Sequence, residues 1–112
     1  MTIAAGTVLL ATVALEPNRW ATLDPSGAPT TIVSTWLDRI AEAGFDGIEL
    51  WERHATTDPL EAAAILAGPV PVTVWNSYVS FDEPHPAARE RVAAWVGRAG
   101  SRAVKFNVGN DP

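Results

Sequence analysis

Apolar positions along the chain alternate between two periodicities, one typical of buried strands and one typical of amphipathic helices. Short runs rich in Val, Ile and Trp predict four strands, at Thr7–Leu15, Ile48–Trp51, Val70–Trp75 and Ala103–Val108. Apolar residues at helical spacing between them predict three helices, at Ile32–Ala41, Leu60–Ala67 and Pro86–Ala99. The resulting (βα)₃β order predicts an α/β fold with a parallel sheet and right-handed crossovers.

Capping residues mark where two of these helices begin. Thr30 or Thr31 is expected to cap the first helix. Asp58, Pro59 and Glu61 open the second, with Asp58 as N-cap and Glu61 reaching back to the cap. The segments from strand to helix are long and carry Trp, Asn, His and Pro residues, so any functional site is expected at that end of the sheet.

Three glycines, at the ends of the three helices, set the register of the strands that follow. The fifth and seventh residues after Gly44, Gly68 and Gly100 are Glu49 and Trp51, Thr73 and Trp75, and Lys105 and Asn107. Because a strand has a period of two, these six residues are predicted to share one face of the sheet. The opposite face is apolar and suits packing beneath helices. A face that combines charged, polar and aromatic side chains is typical of the interior of a barrel and not of a doubly wound sheet.

Glu49 and Lys105 belong to alternate strands and are therefore expected at one height inside such a barrel. We predict that the two side chains interact, directly or through one intervening group. Lys105 is the one lysine of the chain, beside seven arginines. It is interpreted either as a structural partner of Glu49 or as a substrate-contacting amine.

Composition narrows the class of protein further. The 112 residues suffice for a single partial domain, and the net charge of −5 argues against nucleic-acid binding. The absence of cysteine excludes disulfides and thiol catalysis and makes a cytoplasmic location the expectation. The N-terminal apolar run lacks a preceding Lys or Arg, so it is interpreted as a strand and not as a signal peptide, and no run reaches the length of a membrane span.

Three segments, "AEAGFDGIELWERH", "VPVTVWNSYVSF" and "ARERVAAWVGRAGSRAVKFNVG", resemble the xylose-isomerase-like TIM barrels. That group includes sugar phosphate isomerases and epimerases and the related apurinic endonucleases. The resemblance implies that residues 1–112 are the N-terminal half of a (β/α)₈ barrel acting on a small sugar or sugar-like substrate. It also implies a divalent metal, Mg, Mn, Zn or Co, held by residues of later strands that this sequence does not contain. We therefore expect no metal on this chain alone and no activity without a C-terminal half.

The same resemblance implies several site residues. His54 follows the second strand, where xylose isomerases place a proton-handling histidine, although an exposed loop position is the competing interpretation. Trp51 and Trp75 are expected either to wall a sugar pocket or simply to pack. Glu49, Lys105 and Asn107 complete the expected substrate contacts.

Two alternatives remain open at this point. One is a non-catalytic α/β binding module, and the other is a fragment of an apurinic-endonuclease-like barrel. The segment "NSYVSF" lacks the early histidines of that second branch. Self-association, or pairing with a C-terminal half barrel, is expected because a half barrel has open edges.

Overall fold

The computed structural model describes residues 3–77 and 86–106. Four parallel strands form one sheet in the order β1-β2-β3-β4. The strands are β1 Leu9–Ala11, β2 Gly47–Trp51, β3 Val72–Ser77 and β4 Ala103–Phe106. The helices are α1 Leu37–Glu42, α2 Arg53–Thr56, α3 Pro59–Leu66 and α4 Pro86–Ala99, and two 3₁₀ helices span Thr12–Leu15 and Val33–Trp36. The predicted α/β class and parallel sheet are confirmed.

The first strand is much shorter than the predicted Thr7–Leu15. Its pairing with β2 ends at Ala11, opposite Glu49. The next residue, Thr12, turns its side chain inward, and its Oγ1 accepts a hydrogen bond of 2.9 Å from the backbone N–H of Trp51. The Thr12 hydroxyl thus accepts from a backbone N–H of β2 that would otherwise be buried without a partner. The chain can therefore leave the sheet in a 3₁₀ turn at this point.

The first helix also begins differently from the prediction. It starts as the 3₁₀ helix Val33–Trp36, and Thr30 and Thr31 do not cap it. The carboxylate of Glu61, on α3, accepts from the backbone N–H of Ser34 at 3.1 Å. Glu61 therefore caps a neighbouring helix through space, where we expected it to reach back to its own N-cap.

The start of α3 and the ends of two helices follow the sequence. Asp58 Oδ1 accepts from the N–H of Leu60 at 2.9 Å, as expected for an N-cap, and Pro59 is the first helical residue. Gly44 and Gly100 follow α1 and α4 with φ values of +90° and +66°, a left-handed conformation that side chains disfavour. These glycines fix where β2 and β4 begin.

The hydrophobic core lies between one face of the sheet and the helices. Alternating strand residues meet apolar residues of α1, α3 and α4. The strand side of the core consists of Leu10, Ile48, Leu50, Val72, Trp75, Val104 and Phe106. Trp75 is fully buried and stacks on Trp95 of α4, with ring centroids 5.3 Å apart. The predicted helix-facing residues of β2 and β4 are confirmed. In β3, Val74 aligns with Glu49 on the opposite face, and Trp75 occupies the helix-facing side predicted for Val74.

A bulge in β3 moves Trp75 to that side and contradicts its predicted place beside Glu49 and Trp51. Ile48 pairs with Val72, but the next residue, Glu49, pairs with Val74, so β3 carries one extra residue at this point. An extra residue reverses the direction of every later side chain of a strand. Thr73 is consequently not the register partner of Glu49, and the strand count from Gly68 is wrong by one.

Candidate functional site

The face of the sheet opposite the helices carries the polar side chains. The corrected register aligns Glu49 with Val74 and Ala103, and Trp51 with Asn76 and Lys105. Residues side by side in a parallel sheet point to the same side. We call the set Glu49, Trp51, Asn76 and Lys105 the inner-face row. Three of its four members were predicted from the sequence.

Glu49 and Lys105 interact as predicted. Lys105 Nζ lies 3.7 Å from Glu49 Oε2. The Lys105 side chain is 55% exposed and that of Glu49 is 19% exposed. The distance exceeds that of a good hydrogen bond, and exposed pairs are typically worth about 0–1 kcal/mol. The pair is therefore loose enough to be opened by an incoming ligand.

Asn76 is the member of the row that the sequence count missed. It is 6% exposed, and its Oδ1 has no hydrogen-bond partner in the part of the chain that the structure describes. A buried acceptor left unpaired costs roughly 1–3 kcal/mol, so its presence calls for an explanation. Asn76 reaches this face because of the bulge, and no pattern in the local sequence of β3 predicts a bulge.

Trp51, the last residue of β2, forms the buried end of the row. It is 2% exposed and lies outside the helix-side core cluster. Its indole packs edge-on against the ring of His54, with centroids 4.9 Å apart at 83°. Through this ring contact, the inner-face row adjoins a second group of polar side chains, which includes His54 and lies at the ends of β1 and β2. Asn107, the remaining predicted contact, lies outside the described residues.

His54 is buried, which contradicts the alternative of an exposed loop residue. It belongs to α2, which directly follows β2, and is 2% exposed. Its Nδ1 lies 2.9 Å from Thr12 Oγ1, and its Nε2 lies 2.9 Å from Glu16 Oε1. Both partners come from the 3₁₀ turn that ends β1 and from the residue after it. We call Thr12, His54 and Glu16 the buried relay.

Glu16 stays charged in this cluster although it is fully buried. Burial raises the pKa of its carboxyl group, but hydrogen bonds from Thr31, Thr30 and Asn18 together outweigh that effect and lower the pKa to about 2. The donors are three backbone N–H groups and the Thr30 hydroxyl, at 2.7–3.0 Å. A carboxylate surrounded by donors is the standard way to keep a buried charge ionised.

The charge of Glu16 fixes the tautomer of His54. Burial lowers the pKa of His54, while the hydrogen bond and the charge of Glu16 act in the opposite direction. Since an ionised carboxylate only accepts, Nε2 carries the proton, and Nδ1 of the neutral ring accepts from the Thr12 hydroxyl. Thr12 Oγ1 in turn accepts from the N–H of Trp51. The relay holds the backbone of Trp51, and through it one end of the inner-face row.

The relay also closes the long segment between β1 and α1. Glu16 binds both ends of this loop, at Asn18 and at Thr30 and Thr31. Inside the loop, the buried Asn18 side chain accepts from Leu23 and Asp24. The sequence signal for this arrangement was present: Glu16 follows β1 as His54 follows β2, and parallel strands bring such residues together.

The part of the chain that the structure describes contains no side-chain group that fits a divalent metal. Across residues 3–77 and 86–106, no three His, Asp or Glu side chains come together in a way that could hold a metal ion. In the same ranges, no helix combines the length and the apolarity needed to cross a bilayer. Comparisons of the chain with models of known protein families, with curated proteins and with solved structures found no match.

Proposed function

We propose that the chain is the N-terminal half of a (β/α)₈-barrel enzyme that isomerises or epimerises a small sugar or sugar phosphate. In this proposal the chain supplies substrate contacts on the inner-face row. The catalytic metal and its ligands would belong to strands outside this sequence, as the resemblance to xylose-isomerase-like barrels implies. We assign no step of the reaction to a metal on this chain.

The order of the strands supports a barrel. In a doubly wound sheet the order reverses next to the first strand, so that helices cover both faces. Here the spatial order follows the chain order, and within residues 3–77 and 86–106 the helix-side core includes strand residues from only one face of the sheet. Four strands in this arrangement are half the complement of an eight-stranded barrel.

The observation that carries the proposal is the Glu49–Lys105 pair on the face away from the helices. A carboxylate and an ammonium are costly on a face that helices cover but useful on one that lines a substrate cavity. Lys105, which is more than half exposed, can bind an anionic phosphate or an oxygen that gains negative charge. Glu49 and Asn76 offer acceptors to sugar hydroxyl groups.

Ligand binding to the chain tests the proposal. We would titrate ¹⁵N-labelled protein with fructose 6-phosphate and follow backbone amide signals of β2 and β4. We expect saturable shifts at Glu49 and Lys105 and at least a tenfold loss of affinity in Lys105→Met, because the variant lacks the ammonium that meets the phosphate. Arg89→Met is the matched control, since it removes the same charge from the exposed surface of α4.

Two results would count against the proposal. Absence of saturable binding across three-carbon to six-carbon sugar phosphates would remove its substrate class. Equal affinities for wild type and Lys105→Met would show that the inner-face row is not the site. Saturable binding at the row by a ligand that is not a sugar would favour the non-catalytic binding module.

A further inference from the structure

A cavity on the outer side of the buried relay is separate from the inner-face row. It has a volume of about 360 Å³ and lies between residues 29–32, α2 and the start of α3. This volume is within the range of sites for small organic ligands, roughly 300–1,000 Å³. Neither lysine nor arginine lines it. Its chemistry is set by three threonines, one histidine and two carboxylates.

The three threonines present only lone pairs to a ligand. Thr30 donates its hydroxyl hydrogen to Glu16 Oε2 at 2.7 Å, and Thr31 donates to the carbonyl of Leu15 at 2.7 Å. Thr57 donates to the carbonyl of Arg53 at 2.9 Å. Each acceptor is an oxygen without hydrogen, so the direction of each bond is fixed. A ligand in this cavity therefore meets hydroxyl oxygens as acceptors.

The remaining polar side chains act in the same way. Both ring nitrogens of His54 are engaged within the relay, at 2.9 Å each. Asp58 accepts from the N–H of Leu60 and Glu61 from the N–H of Ser34, each through one oxygen. A carboxylate offers about four lone-pair positions, so each keeps acceptor capacity toward the cavity. The side chains that line the cavity thus offer acceptors and negative charge, but no donor.

Apolar side chains form the rim of the cavity. Leu60 is 82% exposed and Ile32 is 58% exposed, and both line it. Aliphatic side chains beside a carboxylate pair match a ligand with a short hydrocarbon part and a positively charged, donor-rich end. An ammonium has three donors and no acceptor, which complements lining side chains that offer only acceptors.

We propose that this cavity binds a small aliphatic ammonium ion, with the ammonium against Asp58 and Glu61 and the alkyl chain against Ile32 and Leu60. The site does not depend on the sugar-binding proposal, because its lining shares no residue with the inner-face row. A chain of four to six carbons fits a cavity of about 360 Å³.

The probe is n-pentylammonium, titrated into ¹⁵N-labelled protein with pentanol and pentanoate as neutral and anionic analogues of similar size. We expect saturable shifts in α3 and in residues 30–32 with pentylammonium, and at least tenfold weaker binding of both analogues. Glu61→Gln is expected to weaken pentylammonium binding about tenfold. Asp38→Asn, which removes an equal charge from the exposed surface of α1, is expected to leave it unchanged.

Glu61→Gln keeps an oxygen that can accept from Ser34, and Asp58→Asn, the second variant, keeps a side chain that caps helices well. If either variant unfolds, the other provides the test.

Binding of pentanol as tight as that of pentylammonium would overturn the proposal. So would a loss of affinity in Asp38→Asn equal to that in Glu61→Gln, because the effect would then reflect the net charge and not the site. Weaker sugar phosphate binding in Lys105→Met, with pentylammonium binding intact, would support two separate sites.

Discussion

At the scale of single residues, the ionised Glu16 at the centre of the buried relay makes the stability of the fold depend on pH. Its pKa is lowered from 4.5 to about 2 in the folded protein, so the unfolded chain binds its proton more readily. Its contribution to stability is complete above pH 4.5 and is lost as the pH falls from 4.5 to about 2. The pKa of His54 is lowered from 6.5, so its contribution is complete above pH 6.5 and decreases as the pH falls below that value. We expect the free energy of unfolding, measured in urea, to decrease as the pH falls below 6.5 and to decrease further as it falls below 4.5.

Glu16→Gln separates the contribution of Glu16 from those of the other carboxyl groups. The amide NH₂ of the variant would face N–H groups that donate to the carboxylate in wild type. We therefore expect the free energy of unfolding to fall by roughly 3 kcal/mol at pH 7. The difference in free energy of unfolding between Glu16→Gln and wild type should narrow as the pH falls from 4.5 to about 2, because Glu16 itself becomes protonated over this range. Glu42→Gln, at an exposed position of α1, is the matched control and should change stability by less than about 0.5 kcal/mol. A gap that stays constant down to pH 2 would contradict this account of Glu16.

At the scale of elements, Gly47 permits the bulge in β3 that determines the inner-face row. A Cβ at Gly47 would collide with Thr73 Oγ1 and would lie 2.9 Å from the carbonyl oxygen of Pro71. That backbone oxygen accepts from the N–H of Ile48, so it cannot move away without loss of a sheet hydrogen bond. We expect Gly47→Ala to destabilise the protein by roughly 2–4 kcal/mol, measured by urea unfolding.

Gly97 provides the control for this substitution. It lies inside α4, and a Cβ there would meet nothing within 4 Å. Alanine is about 1 kcal/mol better than glycine in a helix, so Gly97→Ala should be neutral or stabilising. If Gly47→Ala were equally harmless, the close approach of β3 to Gly47 would not constrain the bulge.

The same elements show how far the sequence could predict the structure. Gly44 and Gly100 end helices in a left-handed conformation, and the counts from them place Glu49 and Lys105 correctly. The count from Gly68 fails because β3 carries one extra residue where it packs closely on Gly47, which is distant in sequence. The relay was only partly predictable: the sequence places His54 after β2, but its burial depends on packing against Thr12 and Glu16. Local patterns therefore predicted the elements, and contacts between elements decided which side chains form the site.

At the scale of the whole molecule, the sheet has two edges. No further strand pairs with β1 or β4 within residues 3–77 and 86–106. Edge strands with unpaired N–H and C=O groups favour association with another chain. A barrel avoids this because its first and last strands pair with each other. Two copies related by a twofold axis would give the same closure, and each would bring its own inner-face row to a shared interior.

We therefore expect the isolated chain to self-associate, with a sedimentation coefficient that rises with protein concentration in velocity experiments. Ala103→Lys should weaken the association, because it adds a charge to the edge strand β4 on the face opposite the helix-side core. Ala87→Lys adds the same charge at an exposed position of α4 and should leave association unchanged. The two variants have equal net charge, so a difference between them locates the contact at β4. A single monomeric boundary at all concentrations, together with a cooperative thermal transition, would show that the four-stranded sheet is stable with its edges open.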